Sequence, residues 1–347
     1  VSLSAGAAAS EAAQEPARGA SPTRESRALP RAIGRAALRV LSTVLPVMVG
    51  VVTAVFFLLR IVPGDPASMI LGDRATPQAV AELRERLGLD APLWQQYTEF
   101  VMRIFTHGDT GDSLVTGVAT GDLIWSRAPV SLGIVAFALA IALLITVPLA
   151  LAAVQRKDGW IDHAVRILPS ISMGMPLFWI GLLLIIVFAV NLGWFPVGGV
   201  ASGGGPFEWI RSLFLPSLSV ALGMAPPLIR SLRAQLLEVT EAEFVTTLRA
   251  ARVSERRIRF NHVLRGAALP TLNLLSVNLA YLIGGTLVVE KVFGINGLGT
   301  LLFQSISSRD FPVVQGVALY CAVLVVLVTL VAQVLSALID PRLRRVQ

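Results

Sequence analysis

The chain has 347 residues, 54% of them hydrophobic and 15% charged, with a mean hydropathy of +0.72, an apolar excess that a soluble core of this length does not absorb. A net charge of +7 and a pI near 10.6 would suit nucleic acid, but in a chain built of apolar runs basic loops report membrane topology instead. The single cysteine, Cys321, excludes a disulfide framework and paired thiolate metal ligands.

Residues 1–38 are rich in Ala, Ser, Pro, Glu and Arg without an apolar period, which predicts a disordered tail; the first apolar run starts too late for a signal peptide. Six charge-free runs follow: Val40–Leu59, Pro129–Val154, Ile167–Val190, Ser212–Ile229, Gly266–Val289 and Phe311–Ile339. Each is long enough to cross a bilayer, which takes about 20 residues, although the fourth is marginal. This divides the chain into a tail (1–38), a first transmembrane helix (39–60), an extracytoplasmic loop (61–128) and a five-helix core (129–347) holding an inner segment, 230–265.

Lys and Arg give the orientation. The tail to Arg39, Gln155–Arg166, Arg230–Arg265 and the stretch after Ile339 together carry 20 of the 29 basic residues, for a net +10; the other three loops net −3. The positive-inside rule places both termini and these basic segments in the cytoplasm.

Two connecting segments are patterned. In the outer one, ATPQAVAELRERLGLD predicts a helix with Thr76 as N-cap, Pro77 at the first helical position and Gly88 as the stop. Its Val80, Leu83 and Leu87 define a face that packs on the membrane domain or a partner. In the inner one, Leu236, Leu237, Phe244, Val245 and Leu248 mark apolar faces, and Val253-Ser254-Glu255 reads as a turn into a second basic helix ending near Arg265. Such helices suit docking to a soluble protein; lying on an anionic lipid surface is the other reading.

The two lysines, Lys157 and Lys291, belong to no G-x-x-x-x-G-K-[ST] string, and H-E-x-x-H and G-x-S-x-G strings do not occur. The three histidines, in loops, have no metal-ligand spacing. The absence of ionisable residues from the six runs argues against a self-powered secondary transporter, which with a channel or lipid-facing scaffold is the reading from another class. Polar residues cluster late, with Asn273, Ser276, Asn278 and Tyr281 followed by Gly284, Gly285 and Thr286, and line either a translocation path or a helix contact. Pro148, Pro169, Pro176, Pro216, Pro226 and Pro227 are expected to break or kink their helices.

The strings LLRIVPGDPA, ATPQAVAELRERLGLDAPLWQQY, GDTGDSL, NLGWFPVGG, EFVTTLRAARVSERRIRFNHVLRGAALP, VFGINGLGTLLFQSISSRDFPVVQGV and ALIDPRLR, in this order, resemble the dipeptide and oligopeptide permease family of bacterial ABC importers. The match covers about Leu58 to Arg344 and is to the subunit with the long first outer loop. The resemblance implies an all-α, six-span type I importer permease of the bacterial inner membrane with no catalytic residues. Its implied partners, besides membrane lipid, are a second homologous permease, two ATPase subunits or domains carrying ATP and Mg²⁺, and an extracytoplasmic substrate-binding protein. Dipeptides or longer peptides are the implied cargo, with nickel chelates, glutathione or sugars in related systems.

Carried over by position, the helix that couples such a permease to its ATPase includes Glu243, Phe244, Val245, Thr247, Leu248, Arg249 and Ala250, supported by His262, Arg265, Leu269 and Pro270. The family's glycine falls at Arg252, so the expectation there is a different turn or a charge contact with the ATPase.

Overall fold

The computed structural model describes residues 45–57, 65–72, 75–86, 88–201, 203 and 205–339. The predicted tail, and the two ends of the first apolar run, lie outside the described residues. The chain divides into two compact units, 1–47 and 48–347, and of the first only residues 45–47 are described.

The described elements are helices. A short α1, Leu45–Phe57, precedes three helices of the first long loop: α2 (Pro66–Leu71), α3 (Pro77–Arg86) and α4 (Leu93–His107). Then come α5 (Thr120–Gln155), α6 (Trp160–Met173), and α7 (Leu177–Leu184) extended by a π-helical stretch, Ile185–Asn191. The 36-residue α8 (Gly205–Thr240) leads to the short α9 (Glu243–Ala250). One turn, α10 (Glu255–Arg257), runs through a π-helical stretch, Ile258–Val263, into α11 (Leu264–Val292), followed by α12 (Leu298–Ser307) and α13 (Phe311–Ile339).

Four described helical segments are long and apolar enough to cross a membrane: Thr120–Gln155, Gly205–Thr240, Glu255–Leu282 and Phe311–Ser336. The third apolar run departs from expectation. It is broken at Gly174–Pro176 into α6 and α7, with Pro176 as the N-cap of α7. Pro148, Pro169, Pro216, Pro226 and Pro227 instead lie inside helices that continue through them. The fourth run, marginal in sequence, is the middle of α8, whose length is ample. The second basic helix does not end near Arg265: with no glycine or proline until Gly266, the chain continues through the π stretch into α11.

The core is a seam between α5 and α8. On α5 the buried residues Thr120, Ile124, Ala128, Ser131, Ile134, Ala138, Ala142, Thr146, Ala150 and Ala153 recur every three or four positions and are mostly small. That stripe lets the backbone of α8 approach closely, and Leu213, Leu215, Val220, Ala221, Met224 and Leu228 fill the seam from the other side. Ile180 and Leu184 of α7, and Leu275 and Val289 of α11, complete this cluster.

The outer-loop helix forms as its local signals dictate. The Thr76 hydroxyl accepts from the Ala79 N–H at 3.2 Å, and Gly88, at φ +67°, closes the helix as the Leu89 N–H reaches the Arg84 carbonyl at 2.9 Å. Val80 and Leu83 are half-buried; Leu87 lies outside the described residues.

Candidate functional site

Three constructions carry functional meaning. The first is the segment from Glu243 to Arg252. Val245 is fully buried among Ala150 and Leu151 of α5, Leu232 and Leu236 of α8, and Ile258, Val263 and Ala267, with Leu248 and Val253 against the same cluster. Thus α9 is clamped across the ends of α5, α8 and α11. Phe244, one position away, points elsewhere and is 48% exposed, a phenyl ring that the described residues leave uncovered. Glu243, Thr247, Arg249 and Ala250 are exposed beside it.

The helix ends in a Schellman motif. The Val253 N–H donates to the Leu248 carbonyl at 3.1 Å and the Arg252 N–H to the Arg249 carbonyl at 2.9 Å, which puts Arg252 at the left-handed position with φ +57°. The expectation of a different turn at Arg252 is therefore corrected: arginine takes the glycine conformation, where two carbonyl caps and the packing of Leu248 and Val253 on the Val245 cluster offset roughly 1 kcal/mol of left-handed strain. Arg249 then bonds Glu255 at 2.8 Å across the turn.

Of the supporting residues, His262 and Pro270 are exposed, Leu269 is half-buried, and Arg265 is exposed on the first turn of α11. The late polar residues do not act as one face. Ser276 and Asn278 donate to the Leu272 and Leu274 carbonyls of their own helix, both at 2.8 Å, so neither makes the helix-to-helix bond expected of a packing contact. Asn273 and Tyr281 are exposed, the latter by 77%, with Pro270 and Val277 on the same stripe. Thr286 is buried.

The second construction ties α6 to α8 at the same end. Asp162, fully buried, accepts from Arg233 Nε and, at 2.9 Å, from its Nη2, as well as from Arg166 at 2.7 Å and the Asp158 N–H at 3.1 Å. The Arg233 hydrogen bond is the main reason that its carboxyl pKa is lowered from 3.8 to about 2. A second bridge, Lys157 to Glu241 at 3.0 Å, joins the same α5–α6 turn to the residues between α8 and α9. Sequence reading assigned Lys157, Asp162 and Arg233 only to basic loops; their pairing across 71 and 84 residues has no local signal.

The third construction lies at the opposite end, where α5, α8 and α13 begin and α11 finishes. Glu290, one residue past the fifth apolar run, is fully buried. It accepts from the Ser131 hydroxyl at 2.6 Å and the Thr300 N–H at 2.8 Å, while Ser131 Oγ accepts from the Leu298 N–H at 2.8 Å. The carboxylate thus holds the N-terminal N–H groups of α12 against α5. Gly297 makes room for it: a Cβ there would lie 2.4 Å from Glu290 Oε1 and 2.5 Å from Ser131 Oγ. Nearby, Gly199 donates to the Phe293 carbonyl at 2.8 Å, and a Cβ on Gly198 would sit 2.5 Å from that oxygen, so NLGWFPVGG and VFGING are two halves of one contact. Ser113 of GDTGDSL donates to Asp310, the Leu114 N–H bonds the same carboxylate at 3.0 Å, and Thr110 bonds the Pro312 carbonyl at 2.7 Å.

Long apolar helices with buried small-residue seams, and one short helix held across their ends, define a multi-pass membrane protein. Residues 145–345 match the binding-protein-dependent transport system inner membrane component, and residues 35–120 match the N-terminal segment of such membrane components. The chain belongs to this family of permeases. It is 36% identical over 308 residues to a putative peptide transport system permease of Brucella abortus, covering 88% of this chain and 98% of that one. An oligopeptide transport system permease of Bacillus subtilis is 33% identical, with coverages of 86% and 96%, and a glutathione transport system permease of Salmonella choleraesuis is 34% identical, with 88% and 98%. In fold, the chain resembles an inward-facing structure of the MetNI methionine ABC transporter, with a TM-score of 0.50 at 18% identity, covering 63% of this chain and 96% of that one.

Proposed function

We propose that this permease is the transmembrane subunit of an ATP-driven importer of di- or oligopeptides. It crosses the bacterial inner membrane six times, the third crossing interrupted at Gly174–Pro176, with both termini in the cytoplasm. A second, homologous permease completes the pathway, two ATPase subunits or domains bind ATP and Mg²⁺, and an extracytoplasmic binding protein delivers the cargo. The peptide cargo is supported by relatives named for peptide transport, and the orientation by the 20 basic residues on one side.

The observation that carries this reading is the contrast between Val245 and Phe244 on α9: one anchors the helix to three membrane helices, the other is free to enter a groove on an ATPase. Closure of the ATPases then pushes on α9. Because Val245, the Asp162–Arg233 pair and the Lys157–Glu241 bridge tie α9, α6 and α8 together, the push moves helix ends as one body. Asn273 and Tyr281 face the pathway between the two permeases.

The test is Phe244→Ala in the reconstituted complex. Loss of a buried aromatic anchor costs about 2 kcal/mol or more, so the ATPase is retained poorly or hydrolyses ATP without transport. Normal transport, ATPase rate and ATPase retention together would overturn the assignment. Competition of uptake by a dipeptide, a longer peptide and glutathione identifies the cargo, since a glutathione relative is as similar as the peptide ones.

A further inference from the structure

The helix α4 has three sides. At about 100° per residue, Tyr97, Phe100, Ile104 and Gln96 share one arc, Gln95, Glu99, Arg103 and Thr106 a second, and Trp94, Thr98, Val101, Met102 and Phe105 a third. The first side is packed. Tyr97 and Phe100 lie 5.1 Å and 5.7 Å from the buried ring of Phe56 on α1, and the Tyr97 hydroxyl is 2.8 Å from Thr53 Oγ1. The second side is wet: Gln95 bonds Glu99 at 3.1 Å and Arg103 bonds Asp109 at 3.1 Å, all on exposed groups. On the third side Trp94, Met102 and Phe105 are 69%, 62% and 79% exposed, with none of the described residues over them.

We infer that α4 lies in the membrane–water interface of the leaflet reached by the C-terminal end of α1, with Trp94, Met102 and Phe105 immersed among lipid acyl chains. Depth is the argument. Thr53, Phe56 and Phe57 lie in the last two turns of α1 as described, so α4 is held within about 6 Å of the C-terminal end of that helix, which lies in the first apolar run. An interfacial helix buries its apolar side by about 5–10 Å, and Trp and Tyr favour that layer. The exposed apolar surface is continuous in kind with α1, where Val49 and Phe57 are 52% and 43% exposed and Phe57 stacks on Tyr97. A helix with one side on protein, one in water and one uncovered apolar side, at this depth, has lipid as its third neighbour. The inference goes beyond the transport role and rests on α1 spanning the membrane.

The test uses the assembled complex in lipid nanodiscs, on a Cys321→Ser background, with single nitroxide-labelled cysteines at Trp94, Met102, Phe105, Glu99 and Val49. Dissolved oxygen concentrates in lipid and a nickel chelate in water. Positions 94, 102, 105 and 49 are expected to favour oxygen, and position 99 the chelate, by several-fold. Chelate accessibility at 94, 102 and 105 equal to that at 99 would overturn the inference, as would shielding from both agents, which marks a protein partner on that side. Chelate access at position 49 would overturn the membrane placement of α1 together with the inference.

Discussion

Ser131 near the start of α5 and Glu290 near the end of α11, 159 residues apart, share a 2.6 Å hydrogen bond that fastens a third helix, since each also accepts an N–H from the first turn of α12. A buried carboxylate with hydrogen-bond donors from two other helices is costly to disturb, because each donor left behind loses its partner without regaining water.

The most sensitive probe of this latch is not the carboxylate but the glycine beside it. Gly297→Ala places a methyl group within 2.5 Å of both side-chain oxygens, and we expect about 3 kcal/mol of destabilisation, from displaced groups and at least one lost bond. Glu290→Gln keeps the shape, and the Ser131 hydroxyl can turn to accept from the amide, so its cost is nearer 1 kcal/mol. Thermal unfolding of the purified complex ranks the two; a larger loss for Glu290→Gln would contradict the geometry.

The Asp162 site gives a pH signature. Its carboxyl is depressed to about 2 from 3.8, so the stability it contributes is fully present above pH 4 and is lost as pH falls through about 4 to 2, where protonation removes the acceptor of Arg233. The shift corresponds to roughly 2.5 kcal/mol at 1.36 kcal/mol per unit. The cover comes from Arg166 and Arg233, 45% and 14% exposed, so solvent screening trims this to about 1–2 kcal/mol. Asp162→Asn should flatten that part of the pH dependence and, by leaving Arg233 unpaired, cost about 3 kcal/mol at neutral pH. Unfolding midpoints of both proteins between pH 2 and 7 decide it.

At Arg252 the expected change is a gain. Arg252→Gly relieves a left-handed residue at a turn whose carbonyl caps remain, so stability should rise by up to about 1 kcal/mol, less the entropy that glycine adds to the unfolded chain. ATP-coupled uptake should be unchanged. Loss of uptake with intact stability would assign the guanidinium to the ATPase contact instead.

Orientation is tested by labelling. In a Cys321→Ser background, cysteines replacing Lys157 and Arg256 should resist a membrane-impermeant thiol reagent in whole cells, while one replacing Asp109 should react. The reverse pattern would invert the proposed topology.

Features set by neighbouring residues were legible. Thr76, Pro77 and Gly88 bound α3 as read, and the turn before Glu255 lies where Val253-Ser254 predicts, because caps and turns are decided within a few residues. Features set by distant partners were not. Reading spans as charge-free runs ended the fifth at Val289 and missed Glu290, whose neighbours in space, Ser131 and Thr300, make a buried carboxylate tolerable inside the helix. Pro176 interrupts a helix where Pro226 and Pro227 do not, and the sequence around them does not distinguish the outcomes; packing of α8 against α5 does. Within the candidate site, the alternation of Phe244 and Val245 was visible, but which of them is held and which is left free depended on Leu151, Leu232 and Ile258.

The bonds from Ser113 and Leu114 to Asp310 span 197 and 196 residues. A ribosome emits the acceptor only after the helices from α5 to α12 have been made, so while α4 can already pack on α1, the GDTGDSL end of the first long loop waits without this partner through their synthesis. Its closure onto the start of α13 is then a late step of biogenesis. A chain truncated before Asp310 would carry an unclosed loop, which surface proteases on that side of the membrane can distinguish from the finished permease.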